Sequence, residues 1–200
     1  MLVAITGGIG CGKTYISNLL RVMGHQVYDC DTAAKRLMTQ DPQLRQDLIN
    51  AFGSDTYFAD GTLNKKHLSG IIFNNPEALS MMNALTHPAV ARDIQRLYQA
   101  AGTGSLFFYE SAILFESHFN LLAPPHSVIS ISAPLELRIQ RVMQRDGMTR
   151  ASVIERIGNQ MPQEEKDRLA NHVIHNDNQM SVIRQVETVL SALQMLNTQK

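Results

Sequence analysis

Residues 7–14, Gly7-Gly8-Ile9-Gly10-Cys11-Gly12-Lys13-Thr14, match G-x-x-x-x-G-K-[ST] in full, a spacing suited to holding a triphosphate. Glycines take the positive φ angles that turn successive backbone N–H groups inward, at the positive end of the helix that follows. Lys13 supplies a point charge for the β- and γ-phosphates, and Thr14 a hydroxyl for Mg²⁺. Gly8, Gly10, Cys11, Gly12, Lys13, Thr14 and Tyr15 are therefore expected to contact a nucleoside triphosphate, with Thr14 on the metal.

Three further groups could act on that phosphate. Asp29 and Asp31 flank Cys30 at the end of a short apolar run, where a carboxylate can orient or deprotonate a hydroxyl acceptor; equally, Asp31 can cap a helix from Thr32 to Met38. Glu110 closes the apolar run Leu106-Phe107-Phe108-Tyr109, the place of a carboxylate that reaches Mg²⁺ or the acceptor. Arg138, Arg141 and Arg145, at i, i+3 and i+7, share one helix face and can neutralise a transferring phosphoryl or be merely solvated. Leu135, Ile139 and Val142 are expected to face the sheet. By pattern alone Glu116 fits a solvated loop.

Elements of α/β type must position these groups. Leu2–Ile5 reads as a buried parallel strand and Lys13–Met23 as a helix ended by Gly24. Val27–Tyr28, Leu106–Tyr109, Ser127–Ser132 and Val173–Ile174 add strands, separated by helix-patterned sequence. The pattern predicts an α/β fold, a P-loop NTPase core with about five parallel strands flanked by helices. The long interval 33–101 reads as a helical insertion, with helices opening at Asn75-Pro76-Glu77 and at His87-Pro88. A second helical segment, 134–169, holds six of the twelve arginines. Both fit insertions into one domain whose core is 1–32, 102–133 and 170–200.

Composition excludes several classes. Eighteen Lys and Arg balance eighteen Asp and Glu, which argues against a non-specific nucleic-acid binder. No apolar stretch approaches the roughly 18 residues of a membrane span. A strand expected from residue 2 leaves no room for a signal peptide, so a cytoplasmic location is expected. Cys11 and Cys30 are too few for a disulfide framework, and no motif assigns an oligomeric state. Cys11 lies at a helix N-terminus, which lowers a thiol pKa. Oxidation with Cys30 could then block the site; the other reading is two small buried residues.

Thr6–Thr14, Tyr28-Asp29-Cys30-Asp31, His87-Pro88, Ile113-Leu114-Phe115-Glu116, Gln140-Arg141 with Arg145-Asp146, Arg156 with Gln160, and Val173-Ile174 with Asn176 together resemble the dephospho-CoA kinase family over essentially the whole chain. The resemblance implies ATP-dependent phosphorylation of the ribose 3′-hydroxyl of dephospho-CoA, with 33–101 as the helical CoA-substrate insertion and 134–169 as a lid. It also implies Asp31 as the base on that hydroxyl, Arg141 on the phosphates, and Asn176 near the adenine of ATP. His87 and the stretch from Ile113 through Leu114 to Glu116 would line the acceptor site, with Asp29 and Glu110 beside them. The chain departs from the family at Cys11, where serine is usual, Cys30 (alanine), Ala112 (proline) and Asn171-His172 (alanine-aspartate); none of these removes a charge the mechanism needs. Two alternatives stay open: another P-loop kinase of nucleotides or metabolites, and a nucleotide-binding regulatory switch. The chain lacks the D-x-x-G and N-K-x-D motifs of switches, and a switch needs no acceptor base.

Overall fold

The computed structural model describes residues 1–198 apart from 74 and 103. Residues 74, 103, 199 and 200 fall in the expected 33–101, 102–133 and 170–200 segments and lie outside the described residues. The chain runs β1 (Leu2–Thr6), α1 (Lys13–Val22), β2 (Gln26–Asp29), α2 (Cys30–Gln40), α3 (Pro42–Phe52), a 3₁₀ turn (Ser54–Thr56), α4 (Lys65–Ile72) and α5 (Pro76–Ala100). It continues through β3 (Phe107–Glu110), α6 (Phe119–Leu122), β4 (Ser127–Ser132), α7 (Leu135–Asp146), α8 (Arg150–Gly158), α9 (Gln163–Leu169), β5 (His172–His175) and α10 (Val182–Thr198).

All five strands pair in parallel, in the order β2-β3-β1-β4-β5. A strand covered on both faces cannot alternate polar and apolar side chains, and β1 is accordingly buried at every residue. Val3, Ile5, Ile16, Leu20, Phe108, Ile129, Ile131, Ile174 and Leu193 belong to one core cluster, from both the sheet and its flanking helices. Because β1 lies between β3 and β4, a crevice opens at its carboxyl end, where open α/β sheets bind ligands. The loop of residues 7–12 occupies that end.

The chain divides into two compact units, Met1–Asp29 with Leu97–Lys200 and, separately, Cys30–Arg96. The second unit packs around Leu44 and Leu48, both almost fully buried. There Tyr57 donates its hydroxyl to the Met38 carbonyl at 2.5 Å, under the Arg45 guanidinium, and Asp93 pairs with Arg36 and Arg96.

Two expected helix starts are corrected. α5 opens at Pro76 with Asn75 accepting from the Glu77 and Ala78 amides, as expected, but it does not restart at His87-Pro88. Pro88 sits inside one continuous helix. Met82, Thr86, Ala89, Val90 and Ile94 are all buried, so one stripe runs through the proline, and its burial outweighs one missing backbone bond. α2 begins at Cys30, which places Asp31 inside the first turn rather than at a cap; a negative charge there still favours the helix dipole. Among the described residues, no helix is long and apolar enough to cross a membrane.

Candidate active site

Gly10 and Gly12 show why the phosphate loop needs glycine. Their φ angles are +80° and +95°, and a Cβ would fall 2.5 Å from the Arg138 carbonyl and 2.2 Å from Asn176 Nδ2. In the first half of the loop the N–H groups are taken up by protein: Gly8 donates to Gln163 Oε1 at 2.9 Å, Ile9 to Gln160 Oε1 at 2.8 Å, and Cys11 to the Gly8 carbonyl. The amides of Gly10, Gly12 and Thr14 donate to no acceptor among the described residues, while that of Lys13 faces the Cys11 sulfur. They lie at the start of α1, whose first N–H groups have no intrahelical partner. Three such donors at a positive helix end form an anion cradle. Lys13 Nζ donates to the Gly7 and Gly8 carbonyls at 2.9 and 3.3 Å, which keeps the ammonium beside it.

Cys11 behaves otherwise than its helix N-terminus implies. The thiol is fully buried and donates to the Gly8 carbonyl at 2.8 Å. Burial pushes its pKa up, although the Lys13 and Arg138 charges pull the other way. The expected low-pKa thiol is corrected: desolvation of the thiolate wins.

The three arginines of α7 have separate fates. Arg138 is buried, and its Nε donates to the Ile9 carbonyl at 2.9 Å. Arg141 donates to the Asn176 carbonyl at 3.0 Å and to Asn178 Oδ1 at 2.9 Å. Exposed Arg145 pairs with its neighbour Asp146. Ile139 and Val142 are buried as expected, but they pack with Val153, Ile9, Met148 and Ile157 rather than on the sheet. Leu135 is 52% exposed, because α7 starts at that residue and a side chain in the first turn leans past the packed face.

Asn176 is buried and donates Nδ2 to the Cys11 carbonyl at 2.9 Å, tying the chain after β5 to the phosphate loop. Beside it lies a cavity of about 580 Å³ lined by Gly12, Tyr15, Arg141, Asn176, Asn178 and Met180. The structure thus gathers Gly12, Tyr15, Arg141 and Asn176, predicted separately, around one hollow next to the cradle.

On the other side of β1, Asp29 and Glu110 are register partners, and Ile5 pairs with Glu110. Ser17, fully buried, donates to Glu110 Oε2 at 2.6 Å. Ser17 follows Thr14 by three residues, so Thr14 is its neighbour on one face of α1. A hydroxyl and a carboxylate so placed suit Mg²⁺, which takes few protein oxygens and keeps waters and phosphate oxygens as its other ligands.

Glu116 is not a solvated loop residue. Its Oε1 accepts from Lys166 Nζ and from the Met161 amide, while its Oε2 is buried with no partner. Lys166 is fully buried and also donates to the Ala112 carbonyl at 2.8 Å. Burial pulls its pKa down and the Glu116 carboxylate opposes that. Leu114 is fully buried. In the other unit, His87 is half-buried; burial lowers its pKa, and the Asp31 charge acts in opposition.

Sequence reasoning missed Ser17, Gln163, Lys166 and Asp167, and gave Gln160 no role. Each is a common polar residue whose partner lies far along the chain, so no local pattern marks it.

The geometry has counterparts among known proteins. A family model described as dephospho-CoA kinase matches residues 1–181. The dephospho-CoA kinase of Bacteroides fragilis is 35% identical over 191 residues, 96% of this chain and 92% of that protein. The solved dephospho-CoA kinase from Campylobacter jejuni is 25% identical with a TM-score of 0.69, covering 98% of each chain. A Thermus thermophilus protein of known structure is 32% identical with a TM-score of 0.76, covering 96% of this chain and 95% of that one.

Proposed function

The chain belongs to the dephospho-CoA kinase family and is an ATP-dependent kinase, and from that premise we propose which of its residues do what. The reaction moves the γ-phosphoryl of ATP to the ribose 3′-hydroxyl of dephospho-CoA, the final step of coenzyme A synthesis. Phosphoryl transfer needs positioning and charge balance more than covalent help.

The observation that carries the assignment is the set of loop donors at Gly10, Gly12 and Thr14 with no protein acceptor, beside the Lys13 ammonium. They take the β- and γ-phosphate oxygens, and Lys13 balances the developing charge. Arg141 reaches the phosphates from the rim of the cavity, where Tyr15 and Asn176 border the adenine. Thr14 and Glu110 are the residues that would hold Mg²⁺. When bound, that ion neutralises charge shared between the β- and γ-phosphate oxygens.

Asp31 orients the acceptor hydroxyl and takes its proton. We assign dephospho-CoA contacts to Asp29 and Glu116 and, in the other unit, to His87; Leu114 is fully buried. The influence of Asp31 on His87 supports a shared role for the two. We assign the reaction to the cytoplasm, where Cys11 and Cys30, both free, stay reduced.

The test measures ATP-to-ADP turnover with and without dephospho-CoA, with the product identified by mass, in wild type and Asp31→Asn. Acceptor-dependent product in wild type, reduced about a hundredfold or more by the substitution with ATP affinity unchanged, is expected. Unchanged turnover in the variant refutes the role of Asp31.

A further inference from the structure

Helix α9 is only seven residues long, yet three of its side chains reach three separate pieces of the chain. Gln163, Lys166 and Asp167 stand at i, i+3 and i+4 and therefore share one face. Gln163 is buried; its Oε1 accepts from the Gly8 amide of the phosphate loop at 2.9 Å. Its Nε2 donates to Asp167 Oδ1 at 2.7 Å and to the Ile131 carbonyl at 3.2 Å. Those partners fix the carboxamide, because a flipped amide would set oxygen against carboxylate and N–H against N–H. Asp167 is itself held by the Ser130 and Ser132 hydroxyls of β4, at 2.6 and 2.8 Å. On the same face, Lys166 binds Glu116 and the Ala112 carbonyl. The turn before the helix adds Gln160 on Ile9 and the Met161 amide on Glu116.

We propose that α9 is the element that positions both substrates at once: Gln163 sets the phosphate loop for ATP, and Lys166 sets the Glu116 turn for dephospho-CoA. The inference rests on reading the loop as the ATP site and Glu116 as an acceptor contact. Both residues act through others and so are positioning residues. Gln163 uses up the Gly8 donor and anchors the first half of the loop to β4. The remaining loop donors keep their inward set only while that half is held. Lys166 fixes one oxygen of Glu116 and leaves Oε2, buried and without a partner, as the oxygen to accept a hydrogen bond from a donor on the acceptor's nucleoside.

Steady-state kinetics of Gln163→Leu and Lys166→Gln, with each substrate varied in turn, tests this. Leucine leaves the buried Gly8 N–H unpaired, which weakens ATP use by about tenfold. Gln163→Leu should raise KM for ATP by that factor and leave KM for dephospho-CoA unchanged; Lys166→Gln should do the reverse. A merely structural helix would lower Tm in both variants and leave each KM alone, or move both together, and either result overturns the proposal. Lys166→Arg, which keeps charge and donors, replaces Lys166→Gln if circular dichroism shows that variant unfolded, and should retain wild-type KM values within threefold; a larger rise in the ATP KM overturns it. Lys13→Met separates the two readings. If it leaves ATP kinetics intact, the assignment of the loop has failed, whereas loss of ATP use in Lys13→Met beside an unchanged KM in Gln163→Leu refutes only the role of α9.

Discussion

Gly12→Ala tests whether the loop and the cavity are one device. Gly12 has φ +95°, and an added Cβ would lie 2.2 Å from Asn176 Nδ2. The left-handed backbone costs an L-residue about 1–2 kcal/mol. Asn176 must also swing away, breaking its 2.9 Å bond to the Cys11 carbonyl, and a buried polar group left unpaired costs about 1–3 kcal/mol. The sum is about 2–5 kcal/mol, or roughly 4–20 °C in Tm for a chain of this size. Gly24→Ala is the control: its φ is +90°, but nothing lies within 4 Å of its Cβ, so only the backbone cost of about 1–2 kcal/mol applies. The chain has no tryptophan, so urea unfolding is followed by far-ultraviolet circular dichroism. Isothermal titration of ATP into the folded variants completes the assay. Gly12→Ala should be the less stable of the two and bind ATP at least tenfold more weakly, while Gly24→Ala binds normally. Equal stability of the two variants, with equal ATP affinity, would refute the coupling through Asn176.

Three further outcomes are expected. Cys11 should resist alkylation by iodoacetamide at pH 7.5 until the chain unfolds, because burial raises its pKa; rapid labelling of the folded protein at Cys11, located by peptide mass, counts against that. Pro88→Ala restores a backbone donor inside α5 and should raise stability by about 1–2 kcal/mol in urea titration, the helix gain exceeding the lost rigidity of the unfolded chain; a lower midpoint contradicts the reading of Pro88 as an interior residue tolerated at a cost. His25, His87 and His172 all have pKa values lowered by burial, so the unfolded chain binds more protons just below its own histidine pKa. Their contribution to stability is full above about pH 6.5 and is lost as pH falls through the folded values. Urea midpoints at pH 7.5 and 5.5 should show that loss, and replacing the three by glutamine should flatten it.

What could be read from sequence divides by the range of the forces involved. Strands such as Ser127–Ser132 were legible to the residue, because Val128, Ile129 and Ile131 with small serines between them make a run that can be buried on both faces of a sheet. The phosphate loop was legible because backbone geometry restricts its glycines. Errors arose where a local rule met a tertiary contact. Proline signals a helix start, yet a continuous buried stripe carried α5 through Pro88. A helix N-terminus activates a thiol, yet burial overrode it at Cys11.

The arginine face of α7 makes the same point at the site itself. Three equivalent positions on a helix acquire different chemistry because their partners, Ile9, Asn176 and Asp146, lie 129, 35 and 1 residues away. Spacing along α7 specifies only that the three share a face; which of them meets a phosphate depends on what the rest of the fold sets opposite. Arg138 is held against the loop backbone, and exposed Arg145 is paired with Asp146. Arg141 is half-buried between Asn176 and Asn178 at the edge of the cavity, and it is the one we propose changes partner when a nucleotide enters. Its present acceptors are a carbonyl and amide oxygens, and a phosphate oxygen, carrying full charge, forms a hydrogen bond roughly twice as strong. That difference favours the exchange at Arg141.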